Sequence, residues 1–440
     1  MRRRTFLRSA GIAIPSFYVF PRHVLGGKGF TAPSDKLNIA AVGAGGVCKH
    51  YIDNCNSENI AFLCDVDDDR AAETYSLYPN AKRYKDFRTM FEKEGKYIDA
   101  VIVGTPDHTH TIPAITAMRL DKHLYCAKPL TRTIHESRLL LKVAGETAVA
   151  TQMSTQQNAS DDHRLLCEMV WSGVIGNVYE AHTWSNRPIW PQGMERPEEH
   201  ESIPDTLDWN LWLGPAEKRP FHSAYVPFKW RGWYDFGTGA LGDMGCHQFD
   251  PIVKALKLKQ PYRVQASSSK LYEETFPVAS IVHYDFEARE GMPPVKVTWY
   301  DGGLKPRKPD ELDPDVEFGD WNGGLLLIGE KGKILCDAVG NKPMLLPKKR
   351  NDEFTPPAQT LPRSIGHYKE WIEASKGGKP AGANFEYGCP VTELVLLGNI
   401  AVRTQQILEW DYEKMQITNS TEANDMISQE YYNGWILENL

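Results

Sequence analysis

The sequence predicts a two-part α/β protein: a parallel sheet wound with helices in the first third, then a domain built on alternating strands. Three observations carry this. An early strand runs through a glycine turn into a helix, further strand-turn-helix units follow it, and later segments alternate apolar and polar residues with a period of two. At 440 residues the chain is long enough for two domains and a large core.

The chain opens with "MRRRTFLRSAGIAIPSFYVF": a basic run from Arg3 to Arg8, then a moderately apolar stretch from Ser9 to Phe20. That stretch is too short to span a bilayer as a helix. The run resembles a twin-arginine export signal, which a receptor reads as an address and which does not anchor its protein. Residues 1–33 are therefore set aside as signal and linker, and a periplasmic or otherwise exported location is expected. No later segment is apolar enough to span a membrane.

The first folded element is "KLNIAAVGAGGVCKHYIDNC". A short apolar strand meets Gly43, Gly45 and Gly46, and a helix starts at Val47. Glycines at such a turn let the backbone approach a pyrophosphate, while the helix N-terminus supplies amide donors and partial positive charge. A second strand, "NIAFLCDVDDDR", ends at Asp65. A carboxylate there accepts hydrogen bonds from adenosine ribose hydroxyls and repels a 2′-phosphate, so NAD is expected over NADP. The third glycine of the fingerprint is replaced by Cys48, a residue small enough to keep helix and strand close. These features read as a dinucleotide-binding Rossmann domain over residues 34–155.

Two more units continue the pattern. "YIDAVIVGTPDHTH" is a buried strand ending in a Thr-Pro turn, and "HLYCAKPLTRTIHESRLLLKVA" repeats strand, turn and helix. Ligands of parallel sheets lie at the carboxyl ends of the strands, which places Thr105, Pro106, His110 and Lys128 at the cofactor edge. His108 and His110 have no Cys or Glu cluster beside them, so no metal site is expected. Lys128, fixed by the proline after it, is placed to reach both a nicotinamide and a substrate hydroxyl.

Residues 156–440 form the second domain. Gln156 and Gln157, at its start, are candidates for the cleft. Segments such as "VIGNVYEAHTWSNRP", "YRVQASSSKLY", "ASIVHYDFEA" and "PVKVTWYDGG" read as strands. Between them, "WNLWLGPAEKRPFHSAYVPFKWRGWYDFGTG" is a loop rich in aromatic residues. Its rings, flanked by Asn210, Lys229 and Arg231, suit either a carbohydrate or a subunit interface. The glycine-rich stretch "GTGALGDMGCHQFD" reads as a loop that sets Asp243 and His247 one helical turn apart on one face. They form either a helix cap with a core histidine or an acid/base pair.

Composition narrows the function. A formal net charge of −7 leaves no electrostatic footprint for nucleic acid. The 12 Trp and 19 Tyr suit the walls of a pocket for a hydroxylated ligand as well as core packing. The eight cysteines are scattered without a C-x-x-C pair, as buried small hydrophobes rather than a disulfide framework.

Taken in order, "VGAGGV", "CDVD", "GTPDHTH", "AKPL" and "GALGDMGCHQFD" resemble the Gfo/Idh/MocA oxidoreductase family over nearly the whole chain after residue 33, including "ELVLLGNIAVRTQQILEWD" as its late helix. The resemblance implies a Rossmann domain joined to an α/β domain with a large, open, mostly antiparallel sheet, with the last helices packing back on the Rossmann domain. It implies nicotinamide-dependent chemistry on sugars and related hydroxy compounds. It also implies that Lys128, Asp243 and His247 line the substrate site, with His247 as general acid/base, Lys128 orienting the hydroxyl and Asp243 contacting hydroxyls or supporting an imidazolium. Where the family carries glutamate before this lysine, the chain has Ala127. Relatives of this kind also include enzymes that cleave glycosides or epimerise sugars through transient oxidation by tightly bound NAD, and sugar–sugar oxidoreductases. A non-catalytic carbohydrate sensor is a further alternative. A homodimer or homotetramer through the second sheet is expected.

Overall fold

The computed structural model describes residues 35–437; the basic and apolar run read as an export signal lies outside them. In chain order the first layer comprises β1 Asn38–Val42, α1 Val47–Asn54, β2 Asn59–Cys64, α2 Asp68–Leu77, β3 Lys82–Tyr84, α3 Phe87–Glu94, β4 Ala100–Val103, α4 Thr111–Arg119, β5 His123–Cys126, α5 Ile134–Thr147 and β6 Thr151–Met153. The six strands pair in the order β3-β2-β1-β4-β5-β6, all parallel. Their near-continuous apolar runs follow from burial on both faces: all four residues of β4, AVIV, are buried. Caps set the helix starts. Thr133 and Glu136 close a reciprocal capping box on α5, and the Asp67 carboxylate accepts from Asp69 N and Arg70 N at the start of α2.

After α6 Asp161–Trp171 the second sheet begins with β7 Val178–Ser185, followed by α7 Gly239–Ala255, β8 Arg263–Ser268, β9 Ser280–Phe286, β10 Val295–Tyr300, β11 Gly323–Gly329, β12 Gly332–Cys336, β13 Met344–Leu346, α8 His367–Ser375, α9 Phe385–Thr404, β14 Leu408–Asp411 and β15 Gln416–Ile417. The nine strands run in the order β13-β12-β11-β7-β10-β9-β8-β14-β15. Only β7 and β10 pair in parallel, so the sheet is mixed and mostly antiparallel. Alternation is clean on β9, where every second residue is buried, the signature of a sheet with unequal faces.

Helix α9 joins the two halves. Ser137 on α5 donates to the Cys389 carbonyl at 3.2 Å, and Arg138 lies 2.6 Å from Glu393. Helix α7 packs on the second sheet and on the turn after β6: Thr183 of β7 donates to Gln248 at 3.1 Å, and Asn158 donates to Asp250 at 2.8 Å. The glycine-rich stretch is thus a correction to the loop reading, since Gly239 to Asp250 are helical within the 17-residue α7. Its polar residues are thus tied to β7 and to the turn that follows β6. All eight cysteines are buried and unpaired. Among the described residues no helix is long and apolar enough to cross a membrane.

Candidate active site

Where β1 and β4 diverge, the carboxyl edge of the parallel sheet opens into a cavity of about 630 Å³, the position at which doubly wound sheets hold ligands. Its floor is a glycine cradle. Gly43 has φ +83°, and a Cβ there would lie 2.9 Å from the Gly104 backbone; at Gly45 it would lie 2.5 Å from the Arg70 carbonyl oxygen. Gly46 caps α1 with no side-chain hydrogen bond, and Gly46 and Val47 line the cavity wall. Asp65 holds the cradle shut: its carboxylate accepts from Gly45 N at 2.9 Å and Asp67 N at 3.0 Å. Burial pushes that carboxyl up, against those backbone hydrogen bonds.

The missing third glycine has a counterpart. Cys48 is fully buried, and the residue facing it across the strand–helix contact is Gly104, where a Cβ would lie 2.6 Å from the Cys48 Sγ. The glycine that permits close packing has moved from helix to strand end.

Gly43, Gly45, Gly46, Val47, Asp65, Thr105, Pro106, His110 and Lys128 all line the cavity. Within that set His110 is a brace: its ring nitrogens lie 2.9 Å from the Pro129 carbonyl and 2.8 Å from that of Thr105. His108 is a second brace, 3.0 Å from the Trp212 carbonyl, and burial pushes it down to about 3. Among the described residues no group of three or more metal-ligating side chains occurs. The glycine cradle and buried acid fit a dinucleotide: Gly43, Gly45, Gly46 and Val47 are the residues that could hold its pyrophosphate and Asp65 its ribose.

Lys128, Asp243 and His247 meet at the other end of the same cavity. The Lys128 ammonium lies 3.2 Å from Asp243 Oδ1 and also donates to the Asp243 carbonyl. Arg231 Nε donates to Asp243 Oδ1 at 2.9 Å, and Arg187 Nε lies 3.8 Å from Oδ2. Burial alone would raise the Asp243 carboxyl, but Lys128 and then Arg231 hold it well below the usual carboxylate range. Burial, and after it the Lys128 charge, pushes His247 down to about 3. Both effects favour the neutral imidazole, and its Nδ1 is buried without a partner among the described residues.

Of the other cleft candidates, Arg231, Gln156 and Gln157 line the cavity, whereas Asn210 and Lys229 are absent from its wall. The aromatic loop divides its rings. Trp209, Phe221, Tyr225, Trp233 and Phe236 pack in one core with Trp212 and Trp230, and of these the last two, with Phe228, also reach the cavity. Two cavity residues had no sequence signal. Arg187 follows β7 and lies beside Asp243 from a distant segment. Trp435, near the C-terminus, stacks on Phe87 at 5.8 Å, with the Arg88 guanidinium 4.5 Å from its ring.

Residues 37–155 match the oxidoreductase family described by its NAD-binding Rossmann fold, and residues 170–289 match the C-terminal alpha/beta domain of that family. The rhizopine catabolism protein MocA of Rhizobium meliloti is 22% identical over 87% of this chain and 99% of its own. The 2,7-anhydro-N-acetylneuraminate hydratase of Escherichia coli is 30% identical over 23% of this chain, a match spanning only 27% of that enzyme. Among solved structures, the WlbA dehydrogenase of Bordetella pertussis, in complex with NADH and UDP-GlcNAcA, superposes with a TM-score of 0.60 at 14% identity, covering 86% of this chain and 99% of that one. Two family matches in the expected order, covering more than half of the residues between them, make this chain a member of the Gfo/Idh/MocA oxidoreductases.

Proposed function

We propose that the protein is an NAD-dependent oxidoreductase acting on a sugar, glycoside or keto-sugar. The observation that supports it is one cavity shared by the glycine cradle and the Lys128–Asp243–His247 group. When bound, the nicotinamide supplies the hydride acceptor or donor. His247, neutral because burial and Lys128 disfavour its charged form, accepts the hydroxyl proton of an alcohol being oxidised. Lys128 orients that hydroxyl and stabilises negative charge developing on its oxygen. Asp243, held ionised by Lys128 and Arg231, fixes the lysine and offers acceptors to neighbouring hydroxyls. Phe228 and Trp230 wall the substrate end.

A second reading keeps the hydride within the protein: transient oxidation by retained NAD, elimination or epimerisation at the next carbon, then return of the hydride. The favouring observation is the C-terminal segment, which straps the cavity mouth. Asn433 donates to the Gly214 and Ala216 carbonyls at 2.9 and 2.7 Å, carrying Trp435 over Phe87. The proposal includes export by the twin-arginine route, with NAD loaded before export, and assembly as a dimer or tetramer through the nine-stranded sheet.

The test begins with protein purified without added nucleotide. It is denatured, any released nicotinamide is identified, and glycosides and free sugars are assayed with and without NAD. NADH formed in proportion to product supports the dehydrogenase. Stoichiometric bound NAD with product but no net NADH supports the self-recycling reading. His247→Ala separates both from a binding-only protein: turnover falls about 10²–10⁴-fold while nicotinamide binding survives. Unchanged turnover refutes the assignment.

A further inference from the structure

The charge balance at the substrate end is unequal. Lys128, Arg187 and Arg231 surround the single carboxylate of Asp243, and their side chains are only 12, 14 and 16% exposed. Among the described residues a second acid also acts on Lys128 and Arg231: Asp107, which is buried and accepts from the Thr238 hydroxyl at 2.6 Å. Even with Asp107 counted as charged, the balance stays positive by one. His247 adds no negative charge. Asp65 and Asp67 belong to the cradle end, where backbone amides engage them.

The two arginines are also held in place. The Arg231 guanidinium lies 4.3 Å from the Trp230 ring and 4.4 Å from that of Phe228, and its Nη1 donates to the Phe228 carbonyl at 3.3 Å. Arg187 donates to the Asn186 side chain and lies 5.6 Å from the ring of Trp321. Trp321 is itself 71% exposed. A flat guanidinium fixed against aromatic faces is pre-organised to grip the two oxygens of a carboxylate. A surplus cation in a partly dehydrated cleft is costly until an anion meets it.

We infer that the substrate is an acidic sugar: a polyhydroxylated compound bearing a carboxylate, such as a uronic or aldonic acid or a glycoside of one, whose carboxylate docks on Arg187 and Arg231 while a hydroxyl faces Lys128 and His247. This rests on the oxidoreductase reading of the same site and narrows its substrate.

The experiment uses the NAD-loaded full chain and matched pairs: glucose with glucuronate, galactose with galacturonate, their methyl glycosides, and glucitol with gluconate. Initial rates are read alongside calorimetric binding to the NADH-loaded protein. The expected result is kcat/KM about 100-fold higher for the carboxylate of a pair, the scale of one charged, hydrogen-bonded contact. That preference shrinks as salt rises, and Arg187→Gln lowers it about tenfold, mainly through KM. Equal or better turnover and binding of the neutral partners overturns the inference but leaves the oxidoreductase reading. Preference for sugar phosphates over sugar carboxylates also overturns it. Failure to turn over either class in protein that binds nicotinamide overturns both.

Discussion

Gly104→Ala tests whether the altered glycine fingerprint is a compensated design. The added Cβ would lie 2.6 Å from both Cβ and Sγ of Cys48, about 1 Å inside the optimal carbon contact distance. Neither side yields cheaply. Cys48 is fully buried on α1, and Gly104 is hydrogen-bonded into the strand layer, its amide donating to the Val42 carbonyl at 2.9 Å. Relief requires α1 to move outward, and overpacking of this kind costs about 1–3 kcal/mol. Because α1 carries the cradle at its N-terminus, the same movement displaces the amides meant for the pyrophosphate.

The partner change is Cys48→Gly. Alone it costs about 1–2 kcal/mol, through lost burial and the poor helix propensity of glycine. In the Gly104→Ala background it removes the clash. The double variant is therefore expected to be no less stable than Cys48→Gly alone, with a coupling energy of about 1–3 kcal/mol. Urea denaturation followed by fluorescence reads the stability, and an NADH fluorescence titration reads the cradle, with about tenfold weaker binding in Gly104→Ala that recovers in the double variant. Two costs that simply add, within about 0.5 kcal/mol, refute the compensation argument.

Other consequences follow from the site. Asp243→Asn leaves three cations facing one another and destabilises the protein by about 3–5 kcal/mol, read by urea unfolding; a loss below about 1 kcal/mol contradicts the ion-pair geometry. Because His247 sits at about 3 rather than its usual 6.5, the base stays deprotonated on acidification, so kcat/KM for alcohol oxidation shows no limb from it between pH 5 and 7; a limb near pH 6.5 that disappears in His247→Gln contradicts this. The lowered folded value makes the neutral form's stability fully present above 6.5 and progressively lost below it, so His247→Gln is expected to gain about 1.4 kcal/mol relative to the native chain between pH 7.5 and 5.5. Trp435→Ala opens the stack on Phe87 and accelerates nicotinamide release about two- to tenfold by stopped-flow, on the scale of one aromatic stacking contact; an unchanged off-rate removes the strap from the cofactor site.

The parallel sheet was legible because its signals are local. Glycines, apolar runs and caps lie within a few residues of the structure they dictate, and Gly43, Asp65 and Lys128 could each be placed by position on a strand end. Asp243 and His247 were legible as a pair through their four-residue spacing, but their helix was not, since glycine counts against helix on propensity alone. Arg187, Trp435 and Gly104 were illegible for a common reason: each acquires its role from a partner far away in the chain. Arg187 acts on Asp243 and Trp435 on Phe87. The lowering of His247 was illegible likewise, because burial and the Lys128 charge act on it only after folding.

The glycines of α7 show how the two ends of the cavity become one device. Each costs about 1 kcal/mol of helix propensity, yet a Cβ at Gly242 would fall 1.9 Å from the Thr238 hydroxyl, and one at Gly245 would fall 2.7 Å from Val395 on α9. The space they leave lets α7 lie against α9, which itself packs on α5 of the Rossmann layer. It also lets Thr238 donate to Asp107 at 2.6 Å, beside the Thr105–Pro106 turn at the cofactor edge, while Asn399 of α9 donates to the Thr238 carbonyl at 2.8 Å. Asp243 and His247 are therefore carried on a helix fastened at its first turn to the Asp107 turn beside the carboxyl ends of the parallel strands. For His247 to serve as the proposed base, a substrate hydroxyl must reach it while the carbon bearing that hydroxyl faces a nicotinamide held by the other domain, and errors of about 1 Å in such alignment are costly. Small residues in α7 exchange intrinsic helix stability for that fixed distance.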